Sequence, residues 1–172
     1  MEELKTIDPK QYYYPGTDIH VTVLSIISCY QNFDLKTISL PAYVELIPKN
    51  MPAQRDFELS FRGISASPAG IMVQGFPKGP FLKQTREALR QSFRASGLAQ
   101  SIDTRYTLQT AHCTVVRFRE PLINTKAFVE VLDRYREHDF GTSQVEDLEL
   151  VHNDWYQRHG RVEKIHEFPI HN

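Results

Sequence analysis

The chain is predicted to fold as α+β, with two half-sheets that carry helices on their outer faces. Two observations predict this. Segments of strand character alternate with amphipathic segments of helical character, so both element types are present in quantity. The element order also reads as a repeat. Each half opens with a strand, follows with a helix and closes with a strand pair, and a further helix links the halves. At 172 residues the chain suits a single domain, with a first half over about 1–97 and a second over about 98–172.

Taken in order, "QYYYPGTD" is a turn-like aromatic cluster around Pro15 and Gly16. "IHVTVLSIIS" is rich in β-branched residues and reads as a strand. "DLKTISLPAYVELIPKN" contains a short helix, with Ser39 as its cap and Pro41 in its first turn. "FELSFRGI" alternates Phe57, Leu59 and Phe61 with polar neighbours, as a half-buried strand does. "GIMVQGFP" is its partner across the turn "SASPAG". Residues 79–97 form the clearest helix, opened by Pro80 and stopped by Gly97. Leu82, Thr85, Leu89 and Phe93 make its buried stripe. "YTLQTAHCTVVRF" is a strand. "NTKAFVEVLDRYREHDFG" is a helix with Asn124 as cap and Gly141 as stop. "VEDLELVHNDWY" and "RVEKIHEFPI" close the chain as a hairpin turned at "QRHG".

Composition narrows the function classes. With 41% hydrophobic and 24% charged residues the chain has ordinary globular composition. A net charge of -1 gives no global attraction to nucleic acid or anionic membrane, so a phosphate ligand must be held by local groups. No apolar run is long enough to span a bilayer, and "MEELKTIDPK" lacks the apolar core of a signal peptide. The expectation is a cytoplasmic monomer. The two cysteines, Cys29 and Cys113, form no metal-type spacing and are expected to be packed thiols.

One pattern carries chemistry. "HVT" at 20–22 and "HCT" at 112–114 each place a histidine and a threonine two apart inside an apolar strand. Side chains alternate across a strand, so His20 and Thr22 share a face, as do His112 and Thr114. Their apolar neighbours Val21, Val23, Cys113 and Val115 face the core. An unpartnered buried imidazole or hydroxyl costs on the order of 1–3 kcal/mol, so the polar face must line something polar. Two imidazoles and two hydroxyls around one cleft suit a phosphodiester. A neutral histidine takes a proton from the attacking oxygen, a protonated one gives a proton to the leaving oxygen, and the hydroxyls bond the non-bridging oxygens.

The duplicated "HVTV" and "HCTV", their separation and the order of elements around them resemble the two-histidine (2H) phosphoesterase superfamily, which includes LigT-like RNA 2',3'-cyclic phosphodiesterases and 2'-5' RNA ligases. Both copies match the family's H-x-[Thr/Ser]-x pattern at every defined position, and the likeness extends over most of 15–170. The resemblance implies a bilobal fold of two pseudo-symmetric antiparallel half-sheets around a V-shaped cleft. It also implies metal-independent hydrolysis of a 2',3'-cyclic or related cyclic or 2'-5' phosphodiester on nucleotides or RNA ends. His20 and His112 would be catalytic, and Thr22 and Thr114 would bind the phosphate.

Around these, Tyr14 and Tyr106 precede the two motifs and are candidate stacking surfaces for a base, as are neighbouring Tyr12 and Tyr13. Arg105 is a candidate phosphate contact, and Trp155 a candidate border of the cleft. His138, His152, His159, His166 and His171 show no metal-ligand spacing, so no metal or other cofactor is expected. The reading from another class is a nucleotide- or RNA-binding module on the same fold that does no chemistry.

Overall fold

The computed structural model describes residues 1–28, 30, 33–53 and 57–170. Cys29 and His171 lie outside the described residues. The elements are α1 (Glu2–Ile7), β1 (Tyr12–Tyr13), α2 (Leu40–Lys49), β2 (Glu58–Ser67), β3 (Gly70–Pro77) and α3 (Phe81–Ser96). They continue with β4 (Ala111–Arg117), α4 (Thr125–Arg134), β5 (Asp139–Gln144), β6 (Asp147–His152) and β7 (Glu163–Pro169). Among the described residues no helix is long and apolar enough to cross a membrane.

The mixed α+β class holds. Five strands form an antiparallel sheet in the order β1-β4-β3-β2-β5, and β6 pairs with β7 as a separate hairpin. The strands are therefore shared unevenly between the two halves of the sequence. β4 and β5, from the second half, bond to β3 and β2 of the first.

Local signals place several elements well. Ser39 stands at the start of α2 with proline in the first turn, although its side chain makes no capping bond. Pro80 precedes α3, and Gly97 ends it in the left-handed region at φ 71°. The Asn124 side chain accepts from the Ala127 N–H at 3.1 Å and caps α4. Gly141 is not the stop of that helix. The helix ends at Arg134, and Gly141 lies in β5 at φ 93°, where the pairing of β2 with β5 shifts register.

The larger departure is the first motif segment. Its composition predicts a strand, yet only Val21 makes a bridge, antiparallel to Cys113. Its other backbone groups have found side chains and turns instead of a ladder. The Thr22 and Val23 carbonyls accept from the Arg86 guanidinium. The Ile26 carbonyl accepts from the Ser101 N–H at 2.8 Å, and the Ser28 N–H donates to the Ser101 hydroxyl at 2.8 Å.

Register fixes the faces of the sheet. Val73 lies opposite both Ile64 and Cys113, and Gly75 opposite both Phe61 and Ala111. This core face joins Leu82, Leu89 and Phe93 of α3 and Tyr43 and Ile47 of α2 in one cluster. At its other end Ile71 and Val116 pack with Leu4 of α1 and Phe128 and Val131 of α4. Each large side chain buried there stabilises the fold by about 1.5–3 kcal/mol, so the core face is strongly specified. His112 and Thr114 alternate to the face these helices do not pack against.

Candidate active site

The Val21–Cys113 bridge decides the geometry of the site. With those two opposed and antiparallel, Thr22 falls beside His112 and His20 beside Thr114. All four side chains then share the face opposite Val21 and Cys113. The two imidazoles are close enough that His20 bears on the titration of His112. Neither threonine hydroxyl has a hydrogen-bond partner among the described residues, so both are available to a ligand.

Each histidine is held differently. The turn Gly16–Asp18 places the Asp18 carbonyl 2.7 Å from His20 Nδ1. A carbonyl only accepts, so Nδ1 carries the proton and Nε2 is the nitrogen left for a substrate. Tyr14, 2% exposed, packs edge-on against His20 with ring centres 6.4 Å apart. The sequence suggests a ring face open to a base at this position. Buried in this way, Tyr14 supports the imidazole instead. His112 Nδ1 lies 3.3 Å from the Thr110 hydroxyl. Burial pushes the His112 pKa down, and the charges of Arg86, Arg117 and His20 push it further, so the neutral imidazole is favoured.

Two arginines that sequence reading passed over complete the site. Arg86 is 2% exposed on α3. Its Nε donates to the Val23 carbonyl at 2.7 Å and Nη1 to the Gln109 carbonyl at 2.8 Å. Nη2 donates to the Thr22 and Thr110 carbonyls at 2.9 and 3.1 Å. One guanidinium thus ties together the two segments that carry the motifs. The signal was in the sequence: Arg86 follows Leu82 by four and precedes Leu89 by three, a cation on the buried stripe.

Arg117 reaches the site through a β-bulge. Val116 pairs with Ile71 but Thr114 pairs with Met72, so one extra residue sits in β4. Simple alternation puts Arg117 with Cys113 on the core face. The bulge returns it to the face of His112 and Thr114. A Cβ on Gly70, opposite Arg117, would run into the Val116 carbonyl oxygen, so the bulge needs glycine there. The Arg117 Nε is buried without a hydrogen-bond partner. Among the described residues neither Arg86 nor Arg117 has a carboxylate within ion-pair distance.

A cleft of about 1230 Å³ opens between the sheet, the segment around His20 and the β6–β7 hairpin. His20, Thr22, Tyr106, Arg117 and Trp155 are on its wall, together with core-face residues such as Val73 and Cys113. His112 and Thr114 are not on that wall. Tyr106 and Trp155 are 67% and 60% exposed. The Arg105 guanidinium lies 5.3 Å from the centre of the Trp155 ring. Asp147, Glu149 and Glu167 gather on the hairpin, where Lys164 pairs with both glutamates, and Asp147 and Glu149 also line the cleft.

No family model matches this chain, and no curated protein matches it in sequence. Solved structures do. The chain is similar to the crystal structure of TT0787 of Thermus thermophilus, with a TM-score of 0.60 and 16% sequence identity. The match covers 98% of this chain and 88% of that one. At this identity the likeness establishes the overall fold and nothing about chemistry.

Proposed function

We propose that this protein is a metal-independent phosphodiesterase of the two-histidine type, acting on a 2',3'-cyclic phosphate or a related cyclic or 2'-5' phosphodiester of nucleotides or RNA ends. The observation that carries the proposal is the antiparallel opposition of Val21 and Cys113, from which the two His-x-Thr pairs fall on one face. The bilobal reading, with a first half over about 1–97 and a second over about 98–172 around a central cleft, belongs to the same proposal. His20 and Thr22 stand on the cleft wall.

The surroundings of the histidines support a division of labour. His112, held neutral by burial and nearby guanidiniums, is the base. It takes a proton from water as the water oxygen bonds to phosphorus. The bond from phosphorus to the 2' or 3' oxygen breaks, and His20 Nε2 delivers its proton to that oxygen. The product is a phosphomonoester, and proton exchange with solvent resets both rings. Thr22, Thr114 and the Arg117 guanidinium hold the non-bridging oxygens, where charge accumulates. The test is incubation of metal-free protein with a panel of cyclic and 2'-5' phosphodiesters. Turnover of at least one is expected. Binding without turnover across the panel would favour the non-catalytic module.

A further inference from the structure

We infer that the Asp18 carboxylate is a positioning group that fastens the loop between β6 and β7 to the turn holding His20, so that the His20 imidazole keeps its orientation only while that loop is seated. The use of His20 in proton transfer rests on the phosphodiesterase reading; the coupling of ring to loop does not.

Asp18 is 6% exposed at the end of the turn Gly16–Asp18. A carboxylate is retained at such a position where its oxygens find donors. Oδ1 accepts from the Thr17 hydroxyl at 3.0 Å and from the His159 N–H at 3.1 Å, and Oδ2 accepts from the Tyr12 hydroxyl at 3.4 Å. The carbonyl of the same residue accepts from His20 Nδ1 at 2.7 Å. One residue therefore holds the imidazole with its main chain and the loop with its side chain.

The loop is braced locally before it meets that turn. Asp154 accepts from the Arg158 N–H at 3.2 Å and from its Nε at 2.6 Å. His159 then opens the short helical turn His159–Arg161 and points its N–H at Asp18, 141 positions away in sequence. Tyr156 of the same loop packs against Tyr12, ring centres 4.8 Å apart, and Tyr12 packs against Tyr14, the ring that backs His20. Both routes converge on Asp18, because Tyr12 also donates to its carboxylate. A main-chain N–H has a fixed direction, so accepting from it fixes the carboxylate and with it the carbonyl that orients the ring. With the anchor gone, the imidazole is free to take the Nε2–H tautomer. That form is wrong for a ring that must end proton transfer with its proton on Nδ1. A carboxylate that served its own turn alone would bond the Thr17 hydroxyl and leave His159 unused.

Nitrogen-15 NMR of the imidazoles reads the tautomer directly and needs no substrate. Spectra of the full chain are recorded at about pH 8.5, where imidazoles are neutral, and His20 is assigned by its loss in His20→Ala. The parent is expected to carry the His20 proton on Nδ1. His159→Pro deletes the donor to Asp18 and leaves the turn Gly16–Asp18 untouched. Proline has no N–H, it suits the first position of a helical turn, and Arg158 before it is already extended at φ -70° and ψ 129°. This variant should move His20 toward the Nε2–H form and speed amide exchange over residues 153–162 by at least about 5-fold. His159→Ala, which keeps the N–H and loses the ring, should match the parent. Asp18→Ala should act as His159→Pro does and is the second route if that protein does not fold. Asp18→Asn, whose side-chain oxygen still accepts from His159, should keep the parent tautomer. A folded His159→Pro or Asp18→Ala protein with the parent tautomer, or with unchanged exchange in the loop, would overturn the coupling. So would an Asp18→Asn protein that behaves as Asp18→Ala. Where the parent hydrolyses a cyclic phosphodiester, His159→Pro should lower kcat/KM about 10-fold. A tautomer that follows the loop in a protein inert toward every diester would keep the coupling and remove the phosphodiesterase. Turnover by a parent whose His159→Pro variant keeps both tautomer and rate would do the reverse.

Discussion

At the scale of single residues, the histidines make the sharpest claims. The His112 pKa is lowered, so protons bind the unfolded chain more tightly than the folded one. Stability from this group is full above its unfolded value of about 6.5 and is lost as pH falls below that and through the folded value. Urea midpoints should therefore drop on acidification, and less so in His112→Asn. In the proposed mechanism His112 acts as base and must be neutral, so the acid limb of kcat/KM should lie below about 6.5. Cys113 faces away from the motif side chains, and burial pushes its thiol pKa up to about 11. It should resist alkylation at neutral pH. Cys113→Ala should cost up to about 1–2 kcal/mol in chemical denaturation and change turnover only a few-fold. Loss of activity at unchanged stability would contradict the strand register. The two His-x-Thr repeats stand out in the sequence as polar residues at a two-residue interval inside apolar segments, and the structure opposes their neighbours Val21 and Cys113. Arg117 was not legible, because its placement depends on a bulge that breaks alternation.

At the scale of elements, helix α3 does more than cover the sheet. Through Arg86 it ties the carbonyls of Thr22 and Val23 to those of Gln109 and Thr110. Removing the guanidinium leaves four carbonyls without that donor at a buried position. Arg86→Met should destabilise the protein by on the order of 3–5 kcal/mol in urea denaturation. Arg86→Lys, which keeps the charge but not the fork, should be intermediate in stability and still lower turnover as the two motifs lose alignment. Full activity in a folded Arg86→Met variant would show that the motifs hold their register without it. Gly70→Ala should also destabilise, since the added methyl collides with the Val116 carbonyl at the bulge. Helices α3 and α4 and the β2–β3 pair were readable from periodicity and caps. The segment around His20 was not, because its composition favours a strand while its hydrogen bonds go to Arg86 and Ser101. Both partners are remote in sequence and invisible to local propensity.

At the scale of the whole molecule, the α+β class was legible from the mix of element types. The pairing of strands from the two halves in one sheet was not, because strand order is decided by long-range contacts that no local pattern encodes. The proposed site draws on both halves: His20 and Thr22 from the first, His112, Thr114 and Arg117 from the second, and Arg86 from the helix between them. Such a site should fail as a unit. The most direct measurement follows conversion of an oligonucleotide 2',3'-cyclic phosphate to its phosphomonoester by phosphorus NMR, with EDTA present throughout. It compares the parent chain with folded His20→Ala, His112→Ala and the double variant. The two-histidine mechanism predicts turnover by the parent undiminished by EDTA and a loss of roughly 10²–10⁴-fold in each single variant. It predicts a double variant far less impaired than the product of the two losses. A folded single-histidine variant that retains near-full activity, or turnover that vanishes in EDTA and returns with zinc, would contradict it.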